Sequence, residues 1–386
     1  MSSIGKKDFS PKPAAVLFEE DHDHPPYVAG PLKFVFPLLT YVGALISFSS
    51  KGWLCFLPLM VTWIIIPAVE LFLKPDHANL LPEQEESEKH NPVYDYILYI
   101  MVLLQVPALF YFLYSMQDDT LGWVDRAGRI LTMGLFCGTS AITVGHELGH
   151  RVNRFDKAMA NISLITTLYM HYLIEHIKGH HKVVATHDDP SSARYGENLY
   201  AFWGRCFVFG YLAAWRISIK ECRKNGLSPF HIRNEMLQVH LFQTVLLVVV
   251  YLLFGTEVLG YFFLSSTTGI LLFESVSYIE HYGLSRKEIA PGKMERIRPA
   301  HSWDSEYSLG RILLFNAPRH ADHHYMASRK YQILRHHDEA PQMPTGYPGT
   351  IMLSLVPPLW FSIMNRRIDE HFAVREAPLE QAAKEA

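Results

Sequence analysis

The run AGRILTMGLFCGTSAITVGHELGH at residues 127–150 decides how this chain is read, because an apolar segment leads without a break into HELGH, and EHIKGHH follows at 175–181. His146 and His150 are four residues apart, as are His176 and His180. On a helix each pair lies on one side, about one turn apart, with both imidazoles able to converge on one point. That is metal-ligand spacing. Neutral imidazole binds Zn, Cu, Fe or Ni, so the spacing leaves the metal open.

Two further clusters stand near the other end: EHYGL, with Glu280 and His281, and RHADHH, with His320, His323 and His324. With His146, His150, His176, His180 and His181, nine of the 21 histidines fall into four groups. Nine imidazoles exceed the needs of one ion, since a zinc site normally takes four ligands, and two metal ions are the natural reading. Helical geometry predicts a division. His146, His150, His176 and His180 close around a first ion. His181 lies a one-residue step of about 100° from His180; it turns to a second ion with His281, His320 and His323 or His324. HELGH alone also fits a zinc intramembrane protease with Glu147 as general base, but that reading leaves His281 and RHADHH without a task. A metal transporter would hold its histidines at the bilayer midplane rather than at helix ends.

The 386 residues are 49% hydrophobic and 13% aromatic, with the apolar residues in blocks. Six blocks have the length of a membrane crossing, near 31–49, 53–73, 94–115, 127–146, 237–254 and 259–280, each close to the ~20 residues that span ~30 Å of hydrocarbon. Residues 1–30, rich in proline and mixed charge, read as an N-terminal leader without a signal-peptide pattern, residues 75–93 as a polar surface loop, and 371–386 as a tail or linker. Residues 31–370 form one integral-membrane domain. With a cytoplasmic N-terminus, twelve basic residues fall in 151–234 and fourteen after 283, so 151–234 and 283–370 are cytoplasmic by the positive-inside tendency. Ile162–Leu173 and Leu199–Ile219 are apolar but broken by His171, Arg205 and Arg216; they are expected to be interfacial or re-entrant helices framing the metals. The expected fold is an all-α membrane protein of six transmembrane helices, with cytoplasmic interfacial helices capping a histidine-rich site. A net charge of −3 indicates no nucleic-acid partner. Cys55, Cys137, Cys206 and Cys222 form no CxxC pair, which argues against a disulfide framework or a thiolate metal site.

At HELGHR (146–151), EHIKGHHKVVATHDDPSSARYGEN (175–198), SYIEHYGL (277–284) and RHADHHYMASRKYQILR (319–335) the chain resembles the integral-membrane alkane hydroxylases, the alkane 1-monooxygenases, within the membrane di-iron hydroxylases and desaturases. The resemblance runs from the first span to about residue 360, and EHYGL after a sixth span is its specific mark. Ser277, Ala317, Pro318 and Ala321 depart from residues common in the family. The resemblance implies two non-haem irons on the nine histidines. It implies O2 as co-substrate and insertion of one oxygen into the terminal methyl of a medium-chain n-alkane. The electrons would come from rubredoxin and its NAD(P)H-dependent reductase, and the enzyme would sit in the bacterial inner membrane with both termini and the di-iron site cytoplasmic. A fatty-acyl desaturase or an aromatic side-chain monooxygenase shares this chemistry.

An alkane has no polar handle, so selection must come from the shape and length of an apolar channel. Trp53, Leu57, Trp63, Met133, Phe136 and Ile270 are the candidate lining residues. Among the acids of the boxes, Glu280 is the candidate to approach a metal and Asp189 to act beside it. Glu147, Glu175, Asp188 and Asp322 are expected to accept the far imidazole N–H of a ligand.

Overall fold

A computed structural model describes residues 30–385, with side chains to residue 373; the leader expected at 1–30 lies outside these but for Gly30. From Pro31 on, the described residues form one compact unit. Its elements are helices joined by turns and loops, with a two-stranded hairpin at Glu288–Ala290 and Lys293–Met294.

Among the described residues five helices are long and apolar enough to cross a membrane: Leu32–Ser49, Gly52–Glu70, Val93–Ser115, Trp123–Gly149 and Glu235–His281. The last holds 47 residues, which as one rod would reach ~70 Å, over twice the hydrocarbon thickness. It does not run straight. Gly255, at φ 82° and ψ −179°, breaks the helix, a backbone conformation that a side chain would resist. Met236 and Val239 before the break share a packed cluster with Ile270 and Phe273 after it, so the two halves fold back on each other.

Trp123–Gly149 is the central helix, with 78% of its apolar window buried against 17–44% in the other four. Its approach to the last span is close. A Cβ on Gly269 would stand 2.3 Å from Cys137 Cβ, and one on Gly138 2.9 Å from the Gly269 carbonyl. Small residues let two membrane helices touch backbone to backbone. At the end away from the histidines, Arg129 donates to the carbonyls of Ser115 (2.7 Å) and Ser50 (2.8 Å), and Asp125 accepts from the N–H groups of Gly52 and Gly122. These bonds tie the connections between the first four helices together.

The helix expected over Ile162–Leu173 is not one: Arg154–Ile165, at 12 residues too short for a span, ends there and turns follow to Tyr172, while Leu199–Lys224 forms the second expected helix and is not a span. Both pack at the histidine end. Residues 75–93 are not wholly loop: Pro82–His90 is an exposed helix, and its sequence explains it, with proline at the first turn, Glu83 and Glu85 near the N-terminus and Lys89 and His90 near the C-terminus. The tail expected at 371–386 continues the Pro357–Glu385 helix.

Candidate metal centre

All nine clustered histidines converge at the end of the central helix, and they divide into two sets. His146, His150, His176, His181 and His323 form one; His180, His281, His320 and His324 form the other. Every close contact is between Nε2 atoms. In the first set His146–His176 is 2.9 Å, His146–His323 3.1 Å, His150–His176 3.2 Å, His176–His181 3.0 Å and His181–His323 3.1 Å. In the second His180–His324 is 3.2 Å, His281–His320 3.1 Å and His320–His324 2.8 Å. The sets adjoin, with the His181 and His324 ring centroids 4.6 Å apart.

This grouping corrects the helical division. His180 and His181 exchange places, because His176–His180 is a π-turn rather than an α-helical turn. A π-turn closes with an i→i+5 bond, which carries His181 over His176 and sends His180 onward to the second set. On the short helix His320–Tyr325, His320 and His324 point together to the second set, and His323 faces the first.

The donors fit metal ions. Imidazole nitrogens about 2.1 Å from an ion and 2.8–3.2 Å from one another subtend roughly 85–100°, the angle of an octahedral set, and tetrahedral ligands would stand farther apart. Seven of the nine rings are buried; His150 and His181 are half-buried. Burial, with the neighbouring histidines adding to it, holds His176, His181, His320, His323 and His324 well below 6.5, so they are neutral and free to ligate. His180 differs. Burial would lower it, but the Asp189 carboxylate, 2.8 Å from its Nδ1, raises it; an ion on Nε2 would replace the proton that Asp189 draws there.

The carboxylates sort by what they touch. Glu280 Oε2 lies 3.3 Å from His320 Nε2, at the edge of the second set, and its Oε1 accepts the Tyr347 hydroxyl at 2.8 Å. Asp189 reaches only the far nitrogen of His180 and is itself held by Ser192 Oγ and the Ser191 N–H, so it orients a ligand and does not face the cavity. Asp322 accepts from Arg329, His337 and the Arg335 N–H, fixing the short helix that carries three of the histidines. Glu147 is taken up by Arg151 at 2.6 Å and the Tyr331 N–H, turned away from the general-base role a zinc protease would give it. Asp188 is exposed. Burial first, then the nearby Asp189, pushes Glu175 up to about 8.

Sequence reasoning missed Tyr347, which lies 67 residues from Glu280, and Glu306, which pairs with Arg311 (2.8 Å) and Arg319 (3.0 Å) behind His320. Neither carries a local signature. Tyr347→Phe is expected to leave Glu280 Oε1 without its donor, at about 1–3 kcal/mol, and to lower metal content at the second set while the first stays filled. Equal loss from both sets in metal analysis with anomalous scattering would refute this.

A cavity of about 400 Å³ ends on both sets, touching His146, His176, His180, His281 and His320 as well as Glu280 and Tyr172. Leu57, Trp63 and Phe136 line it as expected. The other three candidates do not. Trp53 is 81% exposed, Met133 packs among Leu109, Phe112 and Phe262, and Ile270 packs against Leu164 and Met236. Apolar composition marks a span residue as buried or lipid-facing, but not which side of its helix meets the cavity. Phe36, Val61, Ile65, Leu272, Phe273 and Leu313 also line it.

The fatty acid desaturase family model matches residues 121–353. The chain is 35% identical over 346 residues to alkane 1-monooxygenase 2 of Pseudomonas aeruginosa, covering 88% of this chain and 91% of that protein. It is 35% identical over 314 residues to the alkane 1-monooxygenase of Acinetobacter baylyi, covering 81% and 76%. A xylene/toluene monooxygenase hydroxylase component of Pseudomonas putida is 27% identical over 293 residues, covering 74% and 77%.

Proposed function

This chain belongs to the fatty acid desaturase family and, within it, to the alkane 1-monooxygenases, and from that premise we propose that it holds one iron in each histidine set and hydroxylates medium-chain n-alkanes with electrons from rubredoxin and its NAD(P)H-dependent reductase. It is a multi-pass membrane protein that hydroxylates alkanes at the terminal carbon. Six crossings follow if the two halves of Glu235–His281 each span. The proposed setting is the bacterial inner membrane with the histidine end cytoplasmic, in keeping with its basic segments.

The observation that carries the reading is the apolar cavity ending on both histidine sets. In the balanced reaction one alkane, one O2, two electrons and two protons give one 1-alkanol and one water. His146, His150, His176, His181 and His323 would hold the first iron; His180, His281, His320, His324 and Glu280 the second. Iron bound there would supply the activation of O2 needed to break a strong terminal C–H bond. The protein's share is positioning and exclusion of water. Nitrogen donors fixed by Asp189 and the Asp322 network keep the sets in register, and the apolar wall aligns one methyl end with them. Among the described residues no lysine or arginine lines the cavity, so these offer no cation for a carboxylate or thioester head, which favours an alkane over a fatty-acyl substrate. Several lining residues on the first two spans, Phe36, Val61 and Ile65 among them, are also exposed; an opening between those spans would admit substrate directly from the bilayer.

Purified protein should hold two irons, and with octane, 18O2, rubredoxin and reductase it should yield 1-octanol carrying one labelled oxygen. One iron per chain, full activity with zinc, or turnover without any carrier would overturn the respective part of the proposal. Leu57→Trp should shorten the usable channel and move the product profile to shorter alkanes. Each CH2 shut out costs about 0.8 kcal/mol, about fourfold in relative kcat/KM. An unchanged profile in competition assays would remove Leu57 from the substrate path.

A further inference from the structure

Behind the cavity wall lies a polar cluster whose side chains neither the ligands nor their supports use. Glu274, 2% exposed on the last span, sits ~10 Å along the helix from His281. Its Oε1 accepts the Tyr169 hydroxyl and its Oε2 accepts the Cys206 thiol at 2.7 Å. The Cys206 sulfur lies 3.6 Å from Ser191 Oγ, and Ser191 lines the cavity beside His176, His180 and Tyr172. Ser191 Oγ is also 3.4 Å from Glu175 Oε2. All five residues are buried, and four separate stretches of chain bring them together. Both partners of the Glu274 carboxyl are neutral hydrogen-bond donors, not cations. Carboxyl groups at this depth in a membrane protein are costly and are functional by default.

The reaction needs two protons in a cavity with a largely apolar wall. We propose that Tyr169, Glu274, Cys206 and Ser191 form a proton relay that delivers them at Ser191 Oγ; this rests on the hydroxylase reading above. In one passage Ser191 gives its hydroxyl proton into the cavity and takes one from the Cys206 thiol. The thiol takes one from the Glu274 carboxyl, whose Oε2 turns from acceptor to donor in that step; Glu274 takes one from Tyr169, and Tyr169 regains one from the solvent side. Each O–H or S–H bond broken is matched by one formed on the next atom, and no electrons pass along the chain, since they arrive separately from the carrier. Half-buried His171, its ring 4.9 Å from that of Tyr169, marks the end toward solvent. Tyr211 and His240 follow, with Tyr211 Oη 3.0 Å from His240 Nε2.

The test joins a resting-state measurement to a turnover measurement on the full chain. The infrared difference between the resting wild type and Glu274→Gln should hold a protonated carboxyl band that shifts in D2O. With iron content at the wild-type level, Cys206→Ala should lower turnover by ~10²-fold, the lower range for loss of a positioned proton donor. It should also raise the solvent deuterium isotope effect and divert electrons to hydrogen peroxide. Cys206→Ser, which restores an exchangeable proton in a similar volume, should recover most of both. The relay is wrong if Cys206→Ser and Cys206→Ala behave alike, or if that difference spectrum holds no carboxyl band. A wild type that hydroxylates no alkane would instead fail the function reading, with the infrared assignment still standing or falling by itself.

Discussion

Alanine at His181 is expected to empty the same metal position as alanine at His150, and alanine at His180 the same position as alanine at His281. The pairs follow from the two sets of converging Nε2 atoms, and they cut across adjacency in the sequence. In each variant hydroxylation should fall by more than the ~10–100-fold that loss of an outer partner to a ligand costs, because both positions face one cavity and the chemistry draws on both. The measurement is anomalous scattering at the metal edge for each variant, beside total iron. Loss of one ion by His180→Ala and His181→Ala alike would refute the grouping, and with it the role given to the π-turn. His323→Ala, from the helix that serves both sets, should empty the first position and leave the second occupied.

Acidification of the metal-depleted protein is expected to unfold it. Burial, reinforced by neighbouring histidines, holds His150, His176, His181, His320, His323 and His324 well below 6.5, whereas in the unfolded chain they titrate near 6.5. As the pH falls below that value the unfolded state binds protons that the folded state refuses. Stability is therefore complete above about 6.5 and is lost progressively below it, by up to about 1.4 kcal/mol per pH unit for each group. Six such groups reach the ~5–15 kcal/mol net stability of a domain within about two pH units. His180 works the other way. With Asp189 it is raised in the folded protein, so its contribution is present below 6.5 and is lost as the pH rises through its folded value, one group against six. Metal on the Nε2 atoms competes with these protons and should move the loss to lower pH. Thermal unfolding in detergent between about pH 5 and 7, with and without chelator, checks this; a Tm of the depleted protein that stays flat over that range would sink it.

Much of this architecture is legible in the residues because membranes and metals both impose local patterns. An apolar run of about 20 residues is a span whatever surrounds it, and five such helices stand where the runs are. Histidines four apart on a helix share a face whatever they bind, and all nine singled out by spacing converge. Glu280 was identifiable as the acid beside His281, and it stands at a ligand nitrogen. The channel was half legible: hydropathy places Leu57 and Met133 alike in spans, but only packing tells that Leu57 meets the cavity and Met133 the neighbouring helices.

The sequence by itself determined which groups could serve: helices long enough to cross a bilayer, and imidazoles spaced to share a face, both of which depend only on contacts within a turn or two of helix. Tertiary structure alone decided how they are shared. The π-turn at His176–His180 arises from how that segment packs, and it reverses the assignment that regular α-helical geometry gives. His146 meets His323 across 177 residues and His180 meets His324 across 144. Tyr347 reaches Glu280 and Cys206 reaches Glu274 from separate helices. Such meetings leave no periodic trace, because they are fixed by the docking of whole helices, whose cost and gain are spread over many side chains rather than written at the residues that meet.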